Sequence, residues 1–149
     1  MKAVIQRVNH ASVEVEGQVV GRIQLGLLVL LGVAKGDADR DVRYIVDKLA
    51  TLRIFSDEQG KMNRSIQDVK GAFLVVSQFT LLGDVQKGRR PGFDHAATPD
   101  HAQRLYETVL QELRKTGILV EAGRFGADMK IDLQNDGPVT FLVDSRIRS

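Results

Sequence analysis

The chain has 149 residues, a formal net charge of +2 at pH 7, two tyrosines, six phenylalanines and neither cysteine nor tryptophan. This length fits one domain with a substantial hydrophobic core, and the lack of cysteine excludes disulfides, thiolate metal sites and thiol nucleophiles. The small positive charge mildly favours an anionic partner such as RNA, while the few aromatic residues argue against non-specific coating of nucleic acid.

No segment of the sequence is typical of export or of membrane insertion. Residues 1–7 lack the apolar core of a signal peptide, and the longest apolar run, residues 27–33, is far too short to span a bilayer. The missing cysteines also fit a reducing compartment. We therefore expect one domain over residues 1–149, located in the cytoplasm and without membrane association.

The first part of the chain predicts β-structure. Residues 2–9 alternate loosely between polar and apolar side chains and predict a strand. Residues 12–16 and 19–23 alternate more cleanly around a turn at Gly17 and predict a hairpin. Residues 27–31 form a continuous apolar run, which is typical of a central strand buried on both faces.

Three aspartates precede a predicted helix. Asp37, Asp39 and Asp41 have the spacing that opens a calcium loop, but the sixth position of that loop would be Val42 rather than glycine and the twelfth Lys48 rather than glutamate. We therefore predict that the aspartates cap the helix and oppose its dipole. The helix has an apolar face at helical spacing: Val42, Ile45, Val46, Leu49 and Leu52.

Residues 73–80 predict a buried strand that ends in the polar and aromatic side chains of Ser77, Gln78, Phe79 and Thr80. Such a strand end can form the floor of a pocket, although a core strand that reaches a polar edge fits equally. Ser77 and Thr80 are candidate nucleophiles, but neither has a histidine or lysine nearby in sequence. Free N–H groups of Phe79 and Thr80 would instead polarise a carbonyl, as an oxyanion hole does.

Residues 82–98 show no periodicity, which inside a compact domain indicates a functional or mobile loop. The loop contains three cations, Lys87, Arg89 and Arg90. A solvated charge cluster and a contact with nucleic-acid phosphates both fit this pattern.

A second helix is predicted after this loop. Thr98 would be its N-cap, Pro99 its first residue and Gly117 the residue that closes it. Its apolar stripe consists of Ala102, Leu105, Tyr106, Val109 and Leu113.

The last third of the chain predicts three more strands, a short one at residues 118–122 and two that alternate strictly, at residues 129–134 and 139–144. Residues 135–138 (Asn-Asp-Gly-Pro) predict the turn of an antiparallel hairpin between the last two. The pattern as a whole predicts a mixed, β-rich α/β domain with antiparallel hairpins, a central buried strand and two amphipathic helices.

The residues themselves predict no metal site and no cofactor. The chain lacks a Walker-type phosphate loop and a dinucleotide fingerprint. His10, His95 and His101 have no metal-ligand spacing and are more typical of surface or capping residues. Arg7 fits either a surface position or an anchor for backbone carbonyls, and Pro138 fits a turn proline that opens an edge strand.

Residues 1–8, 77–81 and 135–140 resemble, in sequence, order and spacing, the D-aminoacyl-tRNA deacylases. The resemblance covers essentially the whole chain. It implies a compact, β-rich α/β domain that works as a homodimer without a cofactor. It also implies hydrolysis of the ester that joins a D-amino acid, or glycine mischarged on tRNA-Ala, to the 3′ end of tRNA.

The resemblance further implies roles for particular residues. Gly137 and Pro138 match a Gly-cisPro pair that enters the active site of the partner subunit, holds the substrate amino group with its carbonyls and leaves no space for an L side chain. Arg7 would fix the orientation of this pair. Ser77 to Thr80 would line the pocket, where either Thr80 or, by the stronger account, the terminal 2′-hydroxyl of the tRNA drives hydrolysis.

Two other functions fit the sequence. A non-enzymatic module that binds RNA ends is favoured by the basic loop and by the sparse catalytic residues. An editing-domain relative that acts on a mischarged L-amino acid is a third interpretation. In the deacylase, Lys87, Arg89 and Arg90 would contact the tRNA.

Overall fold

The structure, a computed structural model, describes residues 1–147 as one β-rich α/β domain. Its elements in chain order are β1 (Lys2–Val15), β2 (Gln18–Ile23), β3 (Gly26–Gly32), α1 (Asp39–Thr51), β4 (Phe55–Ser56), β5 (Met62–Arg64), β6 (Ala72–Ser77), a 3-10 helix (Phe79–Leu82), α2 (Pro99–Arg114), β7 (Leu119–Ala122) and β8 (Lys130–Asp144).

The long strand β1 is the centre of a six-stranded sheet. One edge of β1 pairs antiparallel first with β3 and then with β2, while its other edge pairs antiparallel with β8 from Lys2 opposite Asp144 to Glu14 opposite Lys130. β6 and β7 continue the sheet beyond β3 in parallel pairs. β3 therefore lies inside the sheet, which explains why the predicted central strand is apolar throughout.

Both faces of β3 and β6 are buried, and the side chains alternate between two hydrophobic clusters. Both helices pack against one face, which includes Val29 and Val75. On the other face, Leu28 and Leu74 pack with residues of β1 and β2. This face is enclosed because the sheet curves until β2 meets β7, where a Cβ atom on Gly21 would lie 2.6 Å from the Ala122 carbonyl oxygen. Glycine permits this close approach of two strands.

The helices form where the periodicity predicts them. In α1, Val42, Ile45 and Leu49 are buried. α2 begins at Pro99 with Thr98 at the N-cap position. The residue predicted to close α2, Gly117, follows it with a φ of +84°, a conformation that favours glycine. Neither helix is long and apolar enough to cross a membrane within the described residues.

Of the three aspartates predicted to cap α1 and oppose its dipole, Asp39 and Asp41 lie in the first turn of the helix and Asp41 also caps it, whereas Asp37 does not. Asp41 Oδ2 accepts the Ala38 N–H at 2.8 Å. Burial alone raises the pKa of Asp41, but hydrogen bonds from Ser145 and Ala38 outweigh it and hold the pKa below its usual value. Asp37 directly precedes the N-cap residue, but its buried carboxylate pairs with the amino end of the chain instead, with Oδ2 at 2.8 Å from the Met1 amino nitrogen. Among residues 1–147 no cluster of His, Asp or Glu could hold a metal ion.

Two predictions about strands are wrong. The predicted strand 2–9 and the first strand of the predicted hairpin are one continuous strand, β1, because the polar residues Asn9 and His10 lie at a β-bulge rather than at a break. The predicted hairpin of residues 129–144 is also one strand, β8, which pairs with β1 on both sides of residues 136–139. Residues 135–138 therefore do not reverse the chain.

Candidate active site

The floor of the candidate site is the carboxyl end of β6. The strand ends at Ser77 rather than continuing to Thr80 as predicted. The Gln78 N–H donates to the Leu31 carbonyl oxygen at 2.8 Å, and the chain then enters the 3-10 helix at Phe79. Because a 3-10 helix pairs each N–H with the third residue before it, its first N–H groups lack a helical acceptor.

The N–H groups of Phe79 and Thr80 are therefore available to a ligand. In the part of the chain that the structure describes, neither donates a hydrogen bond. The carbonyl oxygen of Thr80 accepts the Gly83 N–H at 3.0 Å, which closes the short helix. Two adjacent backbone donors on such a fixed turn can bind the oxygen of a polarised carbonyl.

A cavity of about 810 Å³ opens above this floor, which is within the range of about 300–1,000 Å³ that is common for small-molecule sites. Its lining is mainly apolar. It consists of Val33, Val76, Ser77, Gln78, Phe79, Thr80, Phe93, Ala96, Ala97, Pro99, Ala102, Phe125, Gly126, Ala127, Asp128, Met129 and Ile131.

Two aromatic rings mark the mouth of the cavity. Phe79 is 57% exposed, and its ring lies edge to face with that of Phe93, with 5.0 Å between the centroids. This contact joins the long loop before α2 to the cavity floor. An exposed aromatic face at a cavity mouth can stack on a nucleic-acid base or on another planar group.

The cavity offers little support for a side-chain nucleophile. The Thr80 hydroxyl accepts a hydrogen bond from Gln78 Nε2 at 2.9 Å. Of the described residues that line the cavity, Asp128 alone is ionisable, and its side chain is 88% exposed and paired with Lys130 at 3.0 Å. A hydroxyl nucleophile needs an adjacent base, and the cavity lining places none beside Ser77 or Thr80.

The second predicted site segment, Gly137 and Pro138, lies on a loop in the middle of β8. Gln6 pairs with Thr140 and Val8 with Asn135, so that four residues of β8 lie opposite the single residue Arg7 of β1. These extra residues lift the loop out of the sheet and expose Gly137 and Pro138. The bond between them is cis, and Gly137 has a φ of +137°, which favours glycine.

Arg7 anchors this loop to the sheet. Its guanidinium group donates from Nε to the Asp136 carbonyl oxygen at 3.1 Å and from Nη1 to the Ile54 carbonyl oxygen at 2.8 Å. Its Nε also lies 3.4 Å from Asp136 Oδ2. Arg7 is only 8% exposed, so it is the predicted carbonyl anchor and not a surface residue.

The two parts of the predicted site do not meet within one chain. Gly137, Pro138 and Arg7 are absent from the cavity lining, whereas Ser77 to Thr80 form its floor. Lys87, Arg89 and Arg90 are exposed on a loop whose base is closed by Asp84 and Gly92, which exchange backbone hydrogen bonds of 2.7 and 2.8 Å. The next residue after this closure is Phe93, which connects the basic loop to the cavity wall.

Three participants in this arrangement were not predicted from the sequence. Phe93 is one apolar residue in a glycine-rich loop, a signal that does not distinguish a cavity wall from a surface position. The Ile54 carbonyl carries no side-chain signal at all. Asn135 is recognisable as a turn residue, but the sequence does not show which groups its side chain binds, because these depend on the bulged strand.

Known proteins resemble this chain over nearly its full length. Residues 4–144 match the family D-Tyr-tRNA(Tyr) deacylase. A D-aminoacyl-tRNA deacylase of Geobacter sulfurreducens is 57% identical over 149 residues, which cover 100% of this chain and 98% of that protein. A protein of the same name from Anaeromyxobacter dehalogenans is 59% identical over 146 residues, with 98% of each chain covered.

Solved structures show the same fold. A structure titled c-Myc DNA Unwinding Element Binding Protein has a TM-score of 0.91 and 43% sequence identity, and the match covers 97% of this chain and 98% of that chain. A probable eukaryotic D-amino acid tRNA deacylase has a TM-score of 0.80 at 20% identity, covers 95% and 97% of the two chains, and supports the fold alone. The fold thus defines a class of compact, β-rich α/β domains. The chain belongs to the D-Tyr-tRNA(Tyr) deacylase family, which confirms the resemblance noted in the sequence.

Proposed function

We propose that this protein is a hydrolase that cleaves the ester of D-aminoacyl-tRNA and releases the free D-amino acid and tRNA. Sequence identities of 57% and 59%, over nearly the full length of the chain, to proteins named D-aminoacyl-tRNA deacylase support this activity. The structural observation that carries the proposal is the pair of unpaired N–H groups at Phe79 and Thr80, on the floor of an apolar cavity. The cavity has the size and the donors for the acylated end of an RNA.

The reaction proceeds by positioning rather than by a protein nucleophile. The N–H groups of Phe79 and Thr80 bind the ester carbonyl oxygen and stabilise the negative charge that develops on it. The ribose 2′-hydroxyl beside the ester assists the attack of water, and its fixed position lowers the entropic part of the barrier. The acyl–oxygen bond breaks, and the terminal ribose hydroxyl of the tRNA leaves. Among the described lining residues the one ionisable group, Asp128, is exposed and paired with Lys130, which supports this assignment.

Gly137 and Pro138 select the configuration of the substrate. Their loop is exposed, and Arg7 anchors it to β1, so it presents a rigid main chain. The carbonyls of this segment hold the substrate amino group, and the backbone leaves no space for an L side chain. Rejection by main-chain contact ignores side-chain identity. Many D-amino acids are therefore accepted, and so is glycine mischarged on tRNA-Ala.

The selecting loop acts in the cavity of a second subunit, since it does not reach the cavity of its own chain. β8 pairs with β1 alone among the described strands, which leaves its outer edge free. Leu142 of β8 is 78% exposed. In addition, Gln6 Oε1 is buried without a hydrogen-bond partner in residues 1–147, a state that a partner subunit would relieve. These features support a homodimer.

The basic loop binds the backbone of the tRNA. Lys87, Arg89 and Arg90 are exposed, and their loop ends at the cavity wall at Phe93. This placement suits phosphate groups that follow the acylated end of the RNA. We further propose that the reaction takes place in the cytoplasm. Residues 1–149 would form a single catalytic domain.

The test is to incubate the purified protein with D-tyrosyl-tRNA and with L-tyrosyl-tRNA and to follow the loss of each ester over time. We expect rapid loss of the D ester and loss of the L ester at the spontaneous rate. Equal hydrolysis of both esters would contradict the proposed selectivity. Binding of tRNA without loss of either ester would instead support the non-enzymatic RNA-end module that the sparse catalytic residues also fit.

A further inference from the structure

The bulged loop of β8 contains polar backbone groups that the sheet does not pair. β8 is in register with β1 from Lys130 to Asn135 and again from Thr140 to Asp144. Val139 lies between these segments, has no partner residue on β1 and is only 7% exposed. Buried backbone N–H and C=O groups require a hydrogen-bond partner from some other part of the molecule.

The side-chain amide of Asn135 supplies both partners. Its Oδ1 accepts the Val139 N–H at 2.7 Å, and its Nδ2 donates to the Val139 carbonyl oxygen at 3.1 Å. Nδ2 also lies 3.2 Å from Thr140 Oγ1. Because one end of the amide meets a donor and the other meets an acceptor, its orientation is fixed by its partners. The Asn135 side chain therefore supplies the two hydrogen bonds that a neighbouring strand would otherwise give to the Val139 backbone.

Val139 in turn limits the position of Gly137. A Cβ atom on Gly137 would lie 2.6 Å from Val139 Cγ2 and 3.3 Å from Arg7 Nη2. Gly137 therefore lies between Val139, which Asn135 holds, and Arg7, which holds the Asp136 carbonyl. Two separate side chains thus hold the loop in place, Arg7 from β1 and Asn135 from the start of the loop itself.

We propose that Asn135 is a positioning residue that determines the stereoselectivity of deacylation. By holding both backbone groups of Val139 it keeps Gly137 where the loop excludes an L side chain. Asn135 does not line the cavity, so it acts on the loop and not on the reacting atoms. This inference rests on the selecting role proposed above for Gly137 and Pro138.

The test compares four variants with the wild-type protein in the deacylation of D- and L-tyrosyl-tRNA, and one of them, Arg7→Met, removes the other support of the loop. Asn135→Ala removes all three hydrogen bonds of the amide. Asn135→Asp keeps an acceptor for the Val139 N–H but loses both donated bonds and places a negative charge beside the Val139 carbonyl. Thr140→Val is the matched control, because it removes one of these bonds and leaves both contacts with Val139.

We expect Asn135→Ala and Asn135→Asp to lower the ratio of the D to the L kcat/KM by about tenfold or more, while Thr140→Val changes it by less than about twofold. The decisive feature is a rise in the rate with the L ester. A substitution that merely destabilises the fold lowers both rates together and leaves their ratio unchanged.

An unchanged ratio in folded Asn135→Ala, together with a lowered ratio in Arg7→Met, would overturn the role of Asn135 and leave the selecting loop intact. If Asn135→Ala does not fold, the ratio measured for Asn135→Asp decides in the same way. Failure of the proposed function itself is visible separately, because the wild-type protein would then show no preference for the D ester.

Discussion

At the scale of single residues, we propose that Thr80 acts through its backbone N–H rather than through its hydroxyl. Thr80 Oγ1 is occupied as the acceptor of a hydrogen bond from Gln78 Nε2. The strand ends three residues earlier than the sequence predicted, and this places the Thr80 amide in the first turn of a 3-10 helix. The backbone N–H of Thr80 is therefore free to bind a substrate oxygen, whereas its hydroxyl is already hydrogen-bonded.

We predict that Thr80→Ala lowers the kcat/KM for D-tyrosyl-tRNA by less than about tenfold, the effect of one lost hydrogen bond. The N–H group at position 80 survives this substitution, as it does in the control variant Thr80→Ser. Loss of a true nucleophile would reduce the rate by about 10⁴-fold or more. A loss of that size in a folded Thr80→Ala variant, with full activity in Thr80→Ser, would restore the hydroxyl as the attacking group.

A second residue, Tyr106, connects α2 to the strand that carries the floor. Its hydroxyl donates to the Val75 carbonyl oxygen at 2.8 Å, and both groups are buried. Burial raises the pKa of Tyr106 to about 12 from the usual value of 10.0. Since the unfolded chain loses this proton first, the contribution to stability is complete below about pH 10 and is lost as the pH rises toward 12.

We predict that Tyr106→Phe lowers the free energy of unfolding by about 1 kcal/mol at neutral pH, the typical worth of one hydrogen bond. Between pH 10 and 12 the wild-type protein should lose stability faster than the variant, because the variant has no hydroxyl to ionise. Urea unfolding of both proteins across this range measures the difference. Parallel curves for the two proteins would show that Tyr106 ionises equally in the folded and unfolded states.

At the scale of elements, β8 shows what the sequence predicts and what it does not. The two alternating runs, residues 129–134 and 139–144, are correctly predicted as extended chain. Residues 135–138 carry the composition of a hairpin turn, but the local pattern does not specify whether the chain reverses or bulges. Pairing with β1 on both sides of the loop decides this, and such long-range pairing has no signature within the segment itself.

The candidate site, like β8, is predicted from the sequence only in part. Ser77 to Thr80 and Arg7 were identified as site residues, and the structure places the former on the cavity floor and the latter beneath the loop. Free N–H groups were expected at Phe79 and Thr80, and they are present. The aromatic contact with Phe93 and the Ile54 acceptor were not predictable, since each joins segments far apart in sequence.

The basic loop is the element that we expect to control affinity for RNA. We predict that Arg89→Gln combined with Arg90→Gln raises the KM for D-tyrosyl-tRNA and leaves kcat nearly unchanged. The slope of log KM against log salt should fall by about 1.4 to 1.8, because each phosphate contact contributes about 0.7 to 0.9. Kinetics at several salt concentrations provide the measurement.

The matched control removes two exposed cations elsewhere, Arg43 on α1 and Lys61 in the β4–β5 turn. Equal salt slopes in the two double variants would show that the effect is one of net charge and not of the loop. A lower kcat in the loop variant would instead place the arginines near the reacting group.

At the scale of the whole molecule, the proposed division of the site between two subunits makes a strong prediction for mixed dimers. Gly137→Ala disrupts the selecting loop, because a Cβ atom would lie 2.6 Å from Val139 Cγ2. Phe79→Pro removes one backbone donor from the floor. Each homodimer should have little activity toward D-tyrosyl-tRNA, because one variant displaces the carbonyls that hold the substrate amino group and the other loses a donor to the ester oxygen. A mixed dimer contains one site in which both the loop and the floor are intact.

Unfolding and refolding of the two variants together should therefore recover about a quarter of the wild-type activity, because random pairing gives about one half mixed dimers with one intact site each. Activity is measured before and after mixing, with each variant refolded alone as the reference. If mixing restores no activity although size exclusion shows dimers, the loop and the floor of each site come from the same chain.

The anchoring of the loop by Arg7 has a consequence for how any discrimination made there responds to heat. Surface loops fluctuate before the sheet does, and devices built on them lose accuracy well below the melting temperature. Arg7 lies in the middle of β1, paired on its backbone with Leu27, and ties residue 136 to that position. The position of Gly137 and Pro138 is thus fixed relative to the central strand of the sheet, and the accuracy of any discrimination made there should persist until the sheet itself melts.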